Sequence, residues 1–485
     1  MFNVCSLTGL FPKRQTLNIN SKEFRKILQR YEQSIKMEQK EYFESEELTD
    51  IAEFYYKEGR VGEAISVLDY AIRLHPGAAM PLVFRGRMAL IDENDVESAR
   101  HYVDMIVDQL DLDCLYLQAE IMIAEKDVDG ADRFLRSNLE RIDEDDVPDY
   151  ILDIAMLFID YGQPDKAAEW LERSDETDLM DYREVKARIA FAHGDYEQSE
   201  KIFEKLLDED PYSGRYWNSL ASTQFMSNRI NDSITSSEYS IAINPNDQEA
   251  LLNKANGLFS LGNYAEALKY YSRFYKLAPE EGAAPLFMGN CLLNMGKASE
   301  ALPHYEEALN LLRKRQISTS EVLQCLAFTY SQLGRQDEAL ASIDEALQLS
   351  DVNKGEVLVV KGHILLENSR VKEAINCFVE ALRTTSFSQD VFFRIAISVF
   401  DCGYPTIAYR MFKTYIETND DTGGEGLAYL ASCCLHLNKR DEYLEYLKLA
   451  CDNNPLEARK ILGDEFPQGM EPKDYYSYAI SRQSI

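Results

Sequence analysis

An all-α chain built from copied helix pairs is the fold the sequence predicts, and three observations predict it. A small residue recurs inside apolar helical segments at Ala52, Gly86, Ala119, Ala155, Ala187, Ala221, Ala255, Gly289, Ala327, Gly362, Ala396 and Ala431, with gaps of 32 to 38 residues. A fixed period of that size marks one supersecondary unit stacked many times. A second small residue follows twelve positions later at Ala64, Ala131, Ala167, Ser199, Ser233, Ala267, Ala301, Ala339, Ala374 and Ala408, as two closely pressed helices require. Finally, 14 prolines and 23 glycines are few for 485 residues, which suits a chain that is nearly all helix.

Residues 1–20 carry no periodic signal. Residues 21–43 predict a helix with Phe24, Leu28, Tyr31 and Ile35 on one face and Ser21 as its N-cap. The first repeat then runs Ala52, Tyr55, Gly59, Ala64, Ala71, Pro76. Glycine at the turn between helices (Gly59, Gly162, Gly194, Gly262, Gly296, Gly334, Gly403) supplies a left-handed cap. Proline closes the second helix at Pro76, Pro211, Pro245, Pro279 and Pro455. The second unit slips by one residue around Asn94 to Ala99 and has no turn glycine. The third and fourth lack the closing proline, with an acidic loop from Asp143 to Asp149 between them. Between the eighth and ninth units, Leu311 to Ser320 predicts a lengthened helix and a loose turn. In the twelfth, Tyr443 stands where a small residue belongs, so its helices are expected to splay or shift register. Leu456 to Leu462 reads as a capping helix, and Tyr475, Tyr476 and Tyr478 as a terminus that packs locally or docks elsewhere.

The sixth unit opens Trp217-x-x-Leu220-Ala221, and the seventh reads LLNKANGLFSLGNYAEALKYYSRFYKLAP from Leu251 to Pro279. Over roughly residues 45–457 this pattern resembles the tetratricopeptide repeat (TPR) family. The resemblance implies a right-handed TPR superhelix, an α-solenoid of about twelve helix-turn-helix repeats, with an N-terminal segment at 1–44 and a capping end and tail at 458–485. It also implies that the first helix of each pair, helix A, lines a concave groove through its positions 2, 5, 9, 12 and 13. In this chain those rows hold Arg188, Arg215, Asn218, Ser222, Phe225, Asn256, Phe259, Asn290, Asn294, Gln324, Phe328 and His363, along with Leu252, Leu286 and Leu293. An asparagine amide both donates and accepts, so it can pair with the backbone of an extended peptide. The lysines and arginines with which some members clamp a C-terminal carboxylate are missing here, replaced by Leu252, Leu286 and Gln324.

Charge narrows the partner class. Against 51 basic residues stand 83 acidic ones, a net −32, which argues against nucleic acid and against an anionic membrane surface. Residues 91–180 hold 27 acidic and 7 basic side chains, whereas residues 1–40 carry a net +5. A protein or peptide partner with a basic segment is therefore favoured, and the basic N-terminal region of a second copy would make a homodimer. The nine scattered cysteines suit a reducing cytoplasm. No run of 18 apolar residues exists, so no membrane span is expected. No HExxH or CxxC pair occurs, Cys433-Cys434-x-His436 is poorly spaced for chelation, and Gly423-Gly424-x-Gly426 follows no strand. No catalytic residue, metal or cofactor is predicted. The expected function is a non-enzymatic scaffold or adaptor that holds a partner's peptide or helix in the groove. Two alternatives stand beside it: an assembly subunit that self-associates through its ends or acidic face, and a regulatory accessory chain of a separate enzyme.

Overall fold

The computed structural model describes residues 21–37, 41–175, 177–315, 317–349, 353–419, 423–467 and 469–481. The expectations for residues 1–20 lie outside them. Two compact units, Met1–Gly257 and Leu258–Ile485, divide the chain inside the helix Gln248–Ser260.

Helices make up the regular structure of the described residues: 27 α-helices and two short 3₁₀ turns, with no strand among them. Twenty-four follow the order of the twelve predicted pairs, from Ser45–Lys57 and Val61–Leu74 to Leu427–His436 and Arg440–Asn453. The small residues explain why the pairs close. Every one of the twelve at the helix A contact is buried, as is every one of the ten in helix B. Where the first is glycine the fit is tightest: a methyl on Gly86 would lie 2.6 Å from Leu117 Cδ2, and one on Gly289 2.6 Å from Tyr305 Cε1. Each proline-closed helix stops two residues short of its proline, as in Tyr264–Leu277 before Pro279, because the residue preceding proline avoids the helical region.

The turns follow one rule with two kinds of residue. The seven predicted glycines all have positive φ, from 68° at Gly162 to 81° at Gly403. The glycine-free turns use Asn94, Lys126, Asn228, Ser369 and Asn438 in the same left-handed conformation. Asparagine tolerates that region best after glycine, and it fills three of the five positions. Asn94 also marks the one-residue slip of the second unit, since Ala99 beyond it is fully buried. The twelfth unit keeps the common register: Asn438 makes the turn and Ala431, Leu447 and Ala450 are fully buried. Tyr443 is buried in that core as well, so no register shift accompanies the larger side chain.

Other expectations need adjustment. The first helix spans Lys22–Lys36, and Ser21 Oγ accepts from Phe24 N at 3.0 Å as its cap. Phe24 and Tyr31 are buried, but Ile35 is exposed and Ser34 takes the inward place. Ile35 is therefore not part of the packed face. The acidic loop is shorter than expected, because Val147–Asp160 is helical and takes Pro148 into its first turn. The lengthened eighth helix B runs Ala298–Lys314. At the far end Pro455–Leu462 is the capping helix, and the Glu457 carboxylate accepts from Gly426 N and Ala428 N, each at 3.1 Å, at the start of Leu427–His436. A further helix, Pro472–Ser481, buries Tyr475, whose ring stacks on Phe466 at 3.9 Å.

Much of the acidity between 91 and 180 serves the fold. Asp95, Asp111 and Asp127 cap helices by accepting from first-turn N–H groups. Asp132 accepts from Trp170 Nε1 at 2.9 Å and pairs with Arg136 at 2.8 Å. Asp143 to Asp146 remain exposed in the loop.

Candidate functional site

The rows assigned to the binding face lie on A helices, whose contact residue at position 8 points into the pair. Positions 5 and 9 are one turn apart along the same side of the helix. The two units use these positions differently.

In the unit Met1–Gly257, the face is occupied by its own charges. Glu184 is buried and accepts from both sides: Arg188, one turn along the helix, approaches at 3.2 Å, and Arg215 of the next A helix at 2.6 Å. Arg215 also lies over the ring of Tyr216, 5.3 Å from its centroid. Asn218 is buried too, and its amide nitrogen donates to Asp247 at 3.0 Å and to Glu249 at 3.4 Å. Ser222 accepts from Asn253 Nδ2 at 3.2 Å. Phe225 and Asn256 are half-buried.

Sequence reading missed an ion pair in the same rows. Arg87 and Glu120 occupy position 9 in successive repeats, each 1% exposed, with their charged groups 3.0 Å apart. Burial opposes both charges, but Glu120 and Asp113 outweigh it at Arg87 and hold the guanidinium pKa above its ordinary value. Position arithmetic would have found the pair, since residues at equal positions of adjacent units are neighbours. Two further carboxyls are displaced upward. Burial raises Asp153 to about 7, against a hydrogen bond from Tyr116 OH at 3.1 Å, with Asp149 and Asp113 adding to the rise. Burial raises Asp160 to about 6, opposed by Arg188 and reinforced by Glu120 and Glu184.

In the unit Leu258–Ile485, the same rows carry mostly amides and rings, with one charged pair at His363 and Glu367. Phe259 packs edge-on to Tyr264 at 5.2 Å. Asn290 Oδ1 accepts from the buried Tyr305 hydroxyl at 2.8 Å, while Asn294 is exposed and returns its amide to the Asn290 carbonyl at 2.8 Å. Gln324 bonds back to Ser320 at 3.2 Å. Phe328 lies 5.3 Å from the His363 ring. Leu286, from the same rows, is fully buried and belongs to the core instead. His363 Nε2 is 3.5 Å from Glu367 and Nδ1 is 3.9 Å from Cys402 Sγ. Burial alone would lower the imidazole pKa, but Cys402 and Glu367 outweigh it and raise the value to about 10, while His363 keeps Glu367 below the usual range.

The remaining chemical candidates resolve into packing. Cys433 and Cys434 are buried in the core, and His436 Nδ1 meets the Ser432 carbonyl at 2.8 Å. Gly423, Gly424 and Gly426 are turn residues with φ of 56°, 85° and 85°. Among the described residues no group of three or more His, Cys, Asp or Glu could hold a metal ion. Likewise, no described helix is long and apolar enough to cross a membrane.

Helix pairs in one register, with small contacts and left-handed turns, define an all-α helix-pair repeat protein. Sequence models of the tetratricopeptide repeat match residues 184–247, 248–281 and 280–351. Residues 184–351 are tetratricopeptide repeats, and the spacing of small residues seen there runs on through the other helix pairs. Among known sequences it is similar to the human Superkiller complex protein 3, 30% identical over 105 residues. That match takes in 21% of this chain and 7% of the relative's length. Among solved structures it is similar to the APC/C hetero-tetramer Cut9-Hcn1 (15% identity, 92% of this chain and 94% of that one, TM-score 0.36). It is also similar to the MamA protein (20% identity, 35% of this chain and 90% of that one, TM-score 0.32).

Proposed function

We propose that this protein is a non-enzymatic interaction scaffold that holds an extended segment of a partner protein along its A-helix faces. In the unit Leu258–Ile485 the binding residues are Phe259, Asn290, Asn294, Gln324, Phe328 and His363. The observation that carries this reading is local bonding in these rows: Asn294 and Gln324 bond to backbone and side-chain groups of their own helix, so their amides can exchange for a peptide backbone. Phe328, half-buried beside them, offers apolar contact. In the unit Met1–Gly257 the corresponding residues are Arg188, Arg215, Asn218, Ser222, Phe225 and Asn256, of which Arg188 and Arg215 are held by Glu184 and Asn218 is buried.

The exposed acidic loop from Asp143 to Asp146 supports a partner segment that is basic. A second copy presenting such a segment would make a homodimer. Light scattering at low and high salt tests that arrangement, which requires a larger species at low salt only. The eight free cysteines of the described residues suit a reducing compartment, and we place the protein in the cytoplasm.

The test of the scaffold is affinity capture with quantitative mass spectrometry on the parent chain and on Asn294→Ala with Gln324→Ala. The expected outcome is loss of the captured partner with an unchanged melting curve. Equal capture by both chains would remove the binding face from the unit Leu258–Ile485.

A further inference from the structure

The helix Lys354–Glu367 and the turn after Gln389–Asp401 bring a thiol, an imidazole and a carboxylate into line. His363 and Glu367 are one helical turn apart, so one helix supplies both. Cys402 stands where Gln389–Asp401 ends, partly exposed, and the chain turns away at Gly403. Its sulfur lies 3.9 Å from His363 Nδ1 and 3.8 Å from the His363 carbonyl. The opposite ring nitrogen faces Glu367 Oε1 at 3.5 Å, and the Ser331 hydroxyl fixes the other carboxylate oxygen at 2.7 Å. One nitrogen meets the nucleophile and the other meets a held carboxylate, the arrangement that activates a thiol.

No other described cysteine is placed this way. Cys114, Cys291, Cys433, Cys434 and Cys451 are buried. Cys325 sits 3.6 Å from Asn290 Oδ1. Cys377 is about as accessible as Cys402, yet burial holds its pKa up and no imidazole is recorded beside it. The charged groups around the His363 ring are Glu367 on its own helix and Asp401 on the next, and Lys460 in turn offsets Asp401.

We propose that Cys402 is a modification site that takes small-molecule disulfides such as glutathione disulfide, with His363 as the cation that stabilises its thiolate and Glu367 as the residue that positions the ring. The thiolate, held beside the His363 imidazolium, attacks one sulfur of the disulfide. A Cys402–glutathione bond forms as the original sulfur–sulfur bond breaks. The glutathione thiolate leaves and takes a proton from solvent, so no other oxidant is consumed.

The experiment alkylates the full chain with iodoacetamide from about pH 6 to about pH 9 and reads each cysteine by peptide mass spectrometry. Cys402 is expected to react about tenfold faster than Cys377 at pH 7, and glutathione disulfide is expected to modify Cys402 first. His363→Gln should cut the Cys402 rate about fivefold or more, and Glu367→Gln by less, moving its pH profile toward that of Cys377. Equal rates at Cys402 and Cys377, or a rate indifferent to His363→Gln in a folded chain, would overturn the assignment. Labelling of buried Cys433 reports unfolding. Should His363→Gln unfold the chain, the parent's profile decides: a rate nearly level with pH supports the site, and one that climbs about tenfold per pH unit removes it.

Discussion

In the unit Met1–Gly257 the A-helix rows hold charges that have already found one another: Arg87 with Glu120, and Arg188 and Arg215 with Glu184. In Leu258–Ile485 the same rows hold Asn294 and Gln324, whose hydrogen bonds stay on their own helices, and Phe328, which packs on His363 of the next repeat. Both units share one backbone register, so the difference is purely one of side-chain chemistry. It teaches that a repeat fixes which positions face outward from the pair without fixing whether those positions are free. A face closed by ion pairs rigidifies the stack, whereas a face of amides keeps exchangeable bonds.

The largest effect should come from breaking the closed face. Glu120→Ala leaves Arg87 buried without its carboxylate and should destabilise by about 3–5 kcal/mol, whereas replacing both residues by apolar ones of similar volume should cost far less. Thermal melts of the single and double variants check this. Next, Ala255→Leu overfills a fully buried helix contact and should cost about 1–3 kcal/mol; a melting curve like the parent's would contradict the register.

A smaller effect separates the units by pH. Asp153 and Asp160 titrate near 7 and 6 in the folded chain against an ordinary 3.8, so the folded state holds more protons between about pH 4 and pH 7. Stability from these two groups is full below that window and falls as pH rises through it. His363, raised from 6.5 to about 10, keeps its contribution up to about pH 6.5 and loses it as pH rises through about 10. Hydrogen exchange at about pH 5 and about pH 7.5 should show Val147–Asp160 losing protection on the order of 1–2 kcal/mol while Lys354–Glu367 changes less, and Asp153→Asn with Asp160→Asn should flatten the difference. The smallest change is expected for Asn294→Ala with Gln324→Ala, within about 0.5 kcal/mol of the parent in stability.

The twelve pairs were legible because small residues at two fixed positions leave no alternative packing, and Ala52 through Ala431 could be read straight off the chain. Turns without glycine were harder: Lys126 and Ser369 carry no composition signal for a left-handed turn, and only their position after a small residue marks them. Ile35 satisfied helical spacing yet faces solvent, because spacing gives a face and not the width of the surface that covers it. The ion pair Arg87–Glu120 and the line Cys402–His363–Glu367 were missed for a different reason. Their members are 33 and 39 residues apart, and periodicity picks out apolar stripes rather than partners that meet between repeats.

Glu457 has one more consequence. Its carboxylate supplies hydrogen bonds that the first turn of Leu427–His436 cannot obtain from its own chain segment, and it comes from beyond the final helix pair. A shortened version of this protein that stops after Asn453 would therefore contain all twelve repeats and still fray at its last one. Keeping Pro455 to Tyr475 makes the difference between a fragment that is complete by counting repeats and one that is complete by hydrogen bonding.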